Sequence, residues 1–191
     1  MSEYTVKDLT PETWEGFAAL AGKHNGVWGG CWCLTFHPED KPGTFDGNRD
    51  LKQHLVEVGV AHAALVYDGE TCVGWCEYGT PAQLPRIYYR KQVETPSDAL
   101  PDHRITCFFV DRDHRRRGVS ALALRGALDL IAEAGGGLVE SYPQETAPGE
   151  KVNASFLFNG TRRLFEQAGF TYVRPAGKRH CVMRLRVVPR A

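Results

Sequence analysis

The sequence lacks a net charge: its 23 Lys and Arg are matched by 23 Asp and Glu over 191 residues. It lacks an apolar run long enough to span a bilayer, and no charged-then-apolar leader opens it. Six cysteines are too sparse for a disulfide scaffold. No internal repeat and no low-complexity tract occurs. Membrane-spanning, collagen-like, small disulfide-rich and disordered chains are therefore excluded. The expectation is a soluble, cytoplasmic protein with reduced thiols. Its 42% hydrophobic content and its length suit one domain over residues 1–191.

The balanced charge hides an asymmetry. Residues 1–100 carry 8 basic and 14 acidic side chains, whereas residues 151–191 carry 9 and 1. Such a basic end suits a phosphorylated ligand, and the acidic half suits a cationic partner. Solvated surface charge is the plainer alternative.

Periodicity predicts the elements. A strand over 3–9 is followed by a helix over 11–24, started by Thr10-Pro11. A loop rich in Gly, Trp and Cys spans 28–43, and an amphipathic helix covers 45–58. Two strands, 61–67 and 71–78, meet at Asp68-Gly69, a hairpin signal. Four prolines make 80–103 mostly loop, with a short helix near 87–92. The run 105–110 is apolar on both faces, as a buried central strand is. A charged turn leads into a helix over 118–134, with Leu124, Leu128 and Ile131 on one face. A strand over 138–142, a helix near 161–167 and strands 170–174 and 181–188 complete the chain.

The turn after the central strand carries chemistry. A strand that runs directly into a helix leaves backbone N–H groups unpaired at the helix start, and these bind anions together with the helix dipole. Arg115, Arg116 and Arg117 add positive charge there, Gly118 permits close backbone approach, and Ser120 is small. The glycine spacing fits neither a Walker A loop nor a dinucleotide fingerprint. A basic surface turn is the bland alternative.

The order strand, Arg115-x-x-Gly118-x-Ser120, helix, strand resembles the core of the GNAT superfamily of N-acetyltransferases, whose pattern is Gln/Arg-x-x-Gly-x-Gly/Ala. Leu164-Phe165-Glu166-Gln167-Ala168-Gly169-Phe170 resembles that family's Leu-Tyr-Glu-x-x-Gly-Phe, about 50 residues downstream. The resemblance implies an α/β fold: a mixed, mostly antiparallel, V-splayed central sheet with helices on both faces. It implies acetyl-coenzyme A as co-substrate and direct acetyl transfer to an amine. The co-substrate contacts it implies are Phe109 and Val110 on the strand, Arg115 to Ala121 (Val119 included) at the turn, and Phe165.

Direct transfer needs an uncharged amine, a donor to the developing oxyanion, and a proton for the departing thiolate. Phe165 replaces the tyrosine that often gives that proton in the family. Tyr142, Ser155 and Asn159 are the replacements available, although a tyrosine at Tyr142 also reads as rim or core. Glu77 is the first candidate base, since alternation puts it with Trp75 on one strand face. Glu140 is the second. A carboxylate in a partly buried cleft is expected to have a raised pKa. A structural ion pair is the alternative, and a water chain removes the need for a base.

Trp28, Trp32 and Phe36 fall where this fold lines the acceptor side, and their faces suit an apolar or cationic amine. Simple packing of the loop competes with that reading. Zinc on Cys31, Cys33 and His37, completed by Cys72 or Cys76, stands behind both, and no metal is expected. A nucleophilic pair of His103 and Cys107 is not needed for direct transfer. Arg162 and Arg163 are further phosphate candidates.

The expected partner is a small-molecule amine, slightly favoured to be cationic, or a protein amine. No membrane is expected, nor a nucleic acid on the basic last segment, and homodimers are common among proteins of this resemblance. The alternative function is a coenzyme-A-binding sensor or interaction module with little turnover.

Overall fold

A computed structural model describes residues 4–88, 90–94, 99–147, 152–153 and 156–190. Seven strands form one sheet in the order β1-β2-β3-β4-β5-β7-β6. They are β1 (Tyr4–Asp8), β2 (His62–Asp68), β3 (Thr71–Gly79), β4 (His103–Val110), β5 (Gly137–Ser141), β6 (Thr171–Ala176) and β7 (His180–Val187). The helices are α1 (Trp14–Lys23), α2 (Phe45–Glu57), α3 (Arg90–Val93), α4 (Val119–Glu133) and α5 (Arg162–Gln167). All strand pairs are antiparallel except β4 with β5. This is the mixed, mostly antiparallel sheet with helices on both faces that the sequence predicts.

One core cluster joins α1, α2 and the 27–36 loop to one face of β2, β3 and β4; the other joins α4 and α5 to the opposite face. α4 buries Val119, Ala123, Ala127 and Ile131, spaced by about one turn each. It lies close on β1, since a Cβ at Gly126 would stand 2.4 Å from Val6 Cγ1. Arg125, Asp129 and Glu133, spaced at i, i+4 and i+8, are exposed.

Several predicted boundaries move. The first helix begins at Trp14, and Thr13 rather than Thr10 stands at its N-cap; Thr13 Oγ1 donates to the Asp8 carbonyl (2.6 Å) and accepts from the Thr10 N–H (2.8 Å). The predicted helix near 87–92 is α3, which starts at Arg90. The hairpin turn falls at Gly69-Glu70, with Asp68 pairing Thr71. β5 ends at Ser141, one residue before Tyr142.

Two irregularities in β4 prepare the site. Glu77 pairs with Cys107 and Tyr78 with Ile105, so Thr106 is an extra, bulged residue. Pairing with β5 covers only His103 to Ile105, so Thr106 to Val110 have no strand partner on that side among the described residues. This is the splay. The segment 156–160 sits against it: the Phe108 N–H donates to the Phe158 carbonyl (2.6 Å), and Asn159 Nδ2 donates to the Thr106 carbonyl (2.6 Å).

Candidate active site

After β4 the chain makes a short 3-10 turn, Arg112–His114, capped by the Asp111 carboxylate on the Asp113 N–H (3.1 Å). Lys23 of α1 anchors that turn, its Nζ donating to Asp111 Oδ2 at 2.6 Å. Arg116 has φ +60° and Gly118 φ +80°, so the chain reverses twice before α4 begins. A Cβ on Gly118 would meet no atom within 4 Å. What fixes glycine here is therefore its left-handed φ, and the space above it is open to a ligand. The N–H groups of Val119 and Ser120 have no intrahelical acceptor, and Arg115, Arg116 and Arg117 are exposed around them. The residues present fit a pyrophosphate.

A cleft of about 170 Å³ runs from this turn along the splayed edge of β4, lined by Phe108, Phe109, Val110, Arg115, Ser120 and Leu157, with Trp28 at its rim. The Asp111 N–H bonds to the Val73 carbonyl on β3 and the Phe108 N–H points the other way. Strand alternation then turns the Val110 N–H toward the splay and the Phe109 N–H toward β3. Of the two predicted carbonyl donors, Val110 faces the cleft and Phe109 serves the sheet.

Trp28 also borders a second cavity, of about 120 Å³. Phe36, Tyr88 and Phe158 form its aromatic walls, and the thiols of Cys31, Cys33 and Cys107 its floor. Of the predicted acceptor residues, Trp28 and Phe36 line it. Trp32 does not: it is 1% exposed, stacked on Trp14 at 6.3 Å and edge-on to Phe45 at 5.2 Å, so packing claims it.

Glu77 lies on the same strand face as Trp75, pairs across strands with Cys107 of the cavity floor, and is fully buried. Its Oε1 accepts from Lys52 Nζ (2.9 Å), and its Oε2 accepts from Thr106 Oγ1 (2.8 Å), which the bulge turns toward it. The ammonium of Lys52, 1% exposed, also donates to the Cys33 carbonyl (3.2 Å) and lies 3.1 Å from His37 Nε2, which is itself 3.4 Å from Glu77 Oε1. Burial resists ionisation of Glu77, yet the adjoining Lys52 and His37 overcome it and hold its carboxyl down to about 2. Burial likewise resists the Lys52 charge, and Glu77 reverses that, so its pKa is raised. The expected raised pKa of a base is therefore corrected: Glu77 is an ion-paired carboxylate with both oxygens engaged.

Tyr142 is buried, and its hydroxyl donates to Glu140 Oε1 at 2.7 Å, while Arg184 Nε holds Glu140 Oε2 at 2.6 Å. Burial and then the Glu140 charge push the phenol well above its ordinary pKa. Tyr142 borders a small cavity with Phe36 and His180, not the β4 cleft. Neither Tyr142 nor Glu140 is thus poised for proton transfer. Phe165 is also corrected as a ligand contact: it is fully buried, edge-on to Phe108 (5.9 Å) and Phe170 (4.9 Å). Asn159 ties the 156–160 segment to β4, and Ser155 lies outside the described residues. Arg162 is spent on Glu145 and Glu166 (2.9 and 2.7 Å), whereas Arg163 is exposed.

The zinc set is pulled apart. His37 turns to Lys52, Cys31 Sγ lies 2.9 Å from Thr35 Oγ1, and Cys76 packs on the other sheet face from Cys33. No group of three His, Cys, Asp or Glu among the described residues is arranged to hold a metal. No helix among them is long and apolar enough to cross a membrane. Within the basic last segment Arg162 pairs with Glu145, Arg184 with Glu140 and Arg190 with Asp129.

Sequence reasoning missed Lys52, Tyr88, Phe158 and the thiol of Cys107 as site residues. Only Lys52 left a signal. It sits at i+4 from Asn48 and i−3 from Leu55 on the buried face of α2, where a solvated lysine does not belong.

The chain thus folds as an open sheet, splayed beside a strand that turns through glycine into a helix N-terminus. This is the fold of the GNAT acetyltransferases. No family model and no curated protein matches the sequence. Among solved structures, an N-acetyltransferase from Staphylococcus aureus Mu50 is 13% identical, with 97% of this chain and 99% of that chain covered at a TM-score of 0.56. A ribosomal-protein-S5-alanine acetyltransferase from Vibrio fischeri is 14% identical, with 98% and 94% covered at 0.55. A protein described as a GNAT-family acetyltransferase from Desulfovibrio desulfuricans is 16% identical, with 97% and 100% covered at 0.52.

Proposed function

We propose that the protein is an N-acetyltransferase that moves the acetyl group of acetyl-coenzyme A directly to a primary amine. The observation that carries this reading is the continuity of the open Gly118 turn, the splayed edge of β4 and the cavity beyond Trp28. The co-substrate supplies an activated acetyl thioester. On this reading the Val119 and Ser120 N–H groups and Arg115 to Arg117 bind the pyrophosphate, and the Val110 N–H donates to the carbonyl oxygen. A carbon–nitrogen bond forms, the carbon–sulfur bond breaks, and the proton lost by the amine ends on the thiol. Since Phe165 has no hydroxyl and Tyr142 is engaged, water carries that proton. Residues that neither reach the cleft nor titrate near neutrality are left out of the transfer.

The test is the melting temperature with acetyl-coenzyme A, coenzyme A and NAD. Ligand at 100 times Kd stabilises by about 2.7 kcal/mol, or roughly 5–11 °C for a chain of this size. The first two should shift it, NAD should not, and free thiol should then appear with an amine. No shift at millimolar ligand removes the reading. A second reading, a coenzyme-A sensor with little turnover, draws on the buried Phe165. Binding without thiol release across a broad amine panel would favour it.

A further inference from the structure

The cavity beyond Trp28 has a definite chemical character. Among the described residues, aromatic rings and thiols line it, with Thr35 the one aliphatic hydroxyl, and no charged side chain does. The Thr35 oxygen lies 2.9 Å from Cys31 Sγ and is already engaged. Burial keeps the Cys33 thiol well above its ordinary pKa, so that thiol is neutral. Glu77 is not among the lining residues, and Lys52 pairs with it at 2.9 Å. Thus none of the described residues lining the cavity offers an anion to a second positive charge. The volume, about 120 Å³, is comparable to the roughly 150 Å³ apolar cavity that admits benzene.

Trp28 stands between this cavity and the thioester cleft, and it is 37% exposed. Its ring is edge-on to Phe109 (6.1 Å) and Phe158 (6.2 Å), which fixes the indole at the junction. An indole face there attracts an entering ammonium while the rest of the molecule leaves water.

We infer that the acceptor is a primary amine on an aromatic or aliphatic body about one ring in size, with the body in this cavity and the nitrogen at Trp28. This rests on the acetyl-transfer reading and narrows its acceptor. It also reverses the preference for a cationic acceptor drawn from the acidic half of the sequence. A distal ammonium would enter the cavity without a counter-ion, and burying it unpaired is costly. An added methylene, by contrast, favours binding by about fourfold.

The experiment compares n-hexylamine with 1,5-diaminopentane, which match in heavy-atom count and differ in a terminal methyl or ammonium. Phenethylamine and a phenylalanyl-glycyl-glycine amide form two further arms. Thiol release and calorimetric binding are read for each in the presence of acetyl-coenzyme A or coenzyme A. Hexylamine should exceed the diamine by about 100-fold in kcat/KM, and propylamine to hexylamine should climb by about fourfold per methylene. Preference for the tripeptide over phenethylamine would assign the same apolar body to a peptide amino terminus.

C31F fills the cavity and should lower hexylamine turnover at least tenfold, with the acetyl-coenzyme A melting shift intact. Should that loop variant fail to fold, Y88A, at a half-exposed wall position, should move the optimum to longer amines. Equal turnover of the matched pair, or a preference for the diamine, overturns this inference and leaves acetyl transfer standing. So does an intact melting shift with no calorimetric binding of hexylamine. Absence of any shift with acetyl-coenzyme A overturns both.

Discussion

Replacing Glu77 with Gln separates a structural ion pair from a catalytic base. The side chain keeps its size and can still accept from Thr106, but Lys52 is left charged and 1% exposed with no counter-ion. Breaking a buried pair from one side costs about 3–5 kcal/mol. The fall of the Glu77 carboxyl from 4.5 to about 2 gives an independent figure, about 3 kcal/mol. At roughly 2–4 °C per kcal/mol for this chain length, E77Q should melt about 6–20 °C lower. K52M/E77Q removes the stranded charge as well and should regain a substantial part of that loss.

The pH dependence follows with its sign. The folded carboxyl titrates below its unfolded value of 4.5, so its stabilisation is complete above about 4.5 and drains as pH falls toward 2. The wild type should lose stability steeply across that window, and K52M/E77Q should lose less. Urea unfolding at pH 3 to 7 measures both. As a base, Glu77 would behave otherwise: E77Q would lower kcat by about 10²–10⁴ and abolish the acidic limb of the rate profile. An E77Q protein that melts within about 2 °C of wild type and turns over a hundredfold more slowly would refute the structural assignment.

G118A adds a methyl that meets no protein atom but strains a φ of +80°; it should cost about 1 kcal/mol of stability and, by calorimetry, at least tenfold in coenzyme A affinity. Y142F removes a hydrogen bond to the Glu140 carboxylate, worth about 1.5–3 kcal/mol, and should leave kcat within about twofold; a hundredfold fall would restore Tyr142 as the acid. F165Y places a hydroxyl in the packing of Phe108 and Phe170, so it should destabilise by about 1–3 kcal/mol without raising kcat, measured by thermal melts and thiol release.

What the sequence made legible were features set by local chemistry. β4 stands out because both of its faces are apolar, and the Gly118 turn because a basic run and a glycine adjoin a strand end. The two family-like segments then ordered the fold. What stayed hidden depends on contacts between distant positions. Glu77 reads as a cleft carboxylate until α2, 25 positions earlier in the chain, brings Lys52 to 2.9 Å. Trp32 and Trp28 are equivalent as residue types, but Trp14 and Phe45 bury the first, whereas the second stays at the junction of two cavities. Tyr88 falls where a short helix near 87–92 is expected and Phe158 in a loop, and the closure of 156–160 on β4 sets Phe158 beside Tyr88 as a second wall.

The buried charge pair has a reason beyond stability. Asn25, Val27, Trp28, Trp32 and Cys33 all take positive φ, from 44° to 59°, and non-glycine residues there cost about 1–3 kcal/mol each. A segment so strained keeps its shape only if the surroundings over-determine it. Buried Val27 and Trp32 supply part of that, Asn48 Nδ2 adds a bond to the Gly30 carbonyl (2.7 Å), and the Lys52 ammonium adds contacts to the Cys33 carbonyl and His37, on either side of Phe36. Glu77 keeps the ammonium charged, and Thr106 aims Glu77 because β4 bulges there. The bulge in the central strand and the shape of the cavity wall are thus linked through one proton-rich nitrogen. An apolar substitute for the pair would satisfy the packing but would leave the Cys33 carbonyl without its donor. K52M/E77Q should consequently regain stability while its hexylamine KM stays raised about tenfold, read from initial rates. Full recovery of both would show that the loop holds its own conformation and that the pair is only a buried charge.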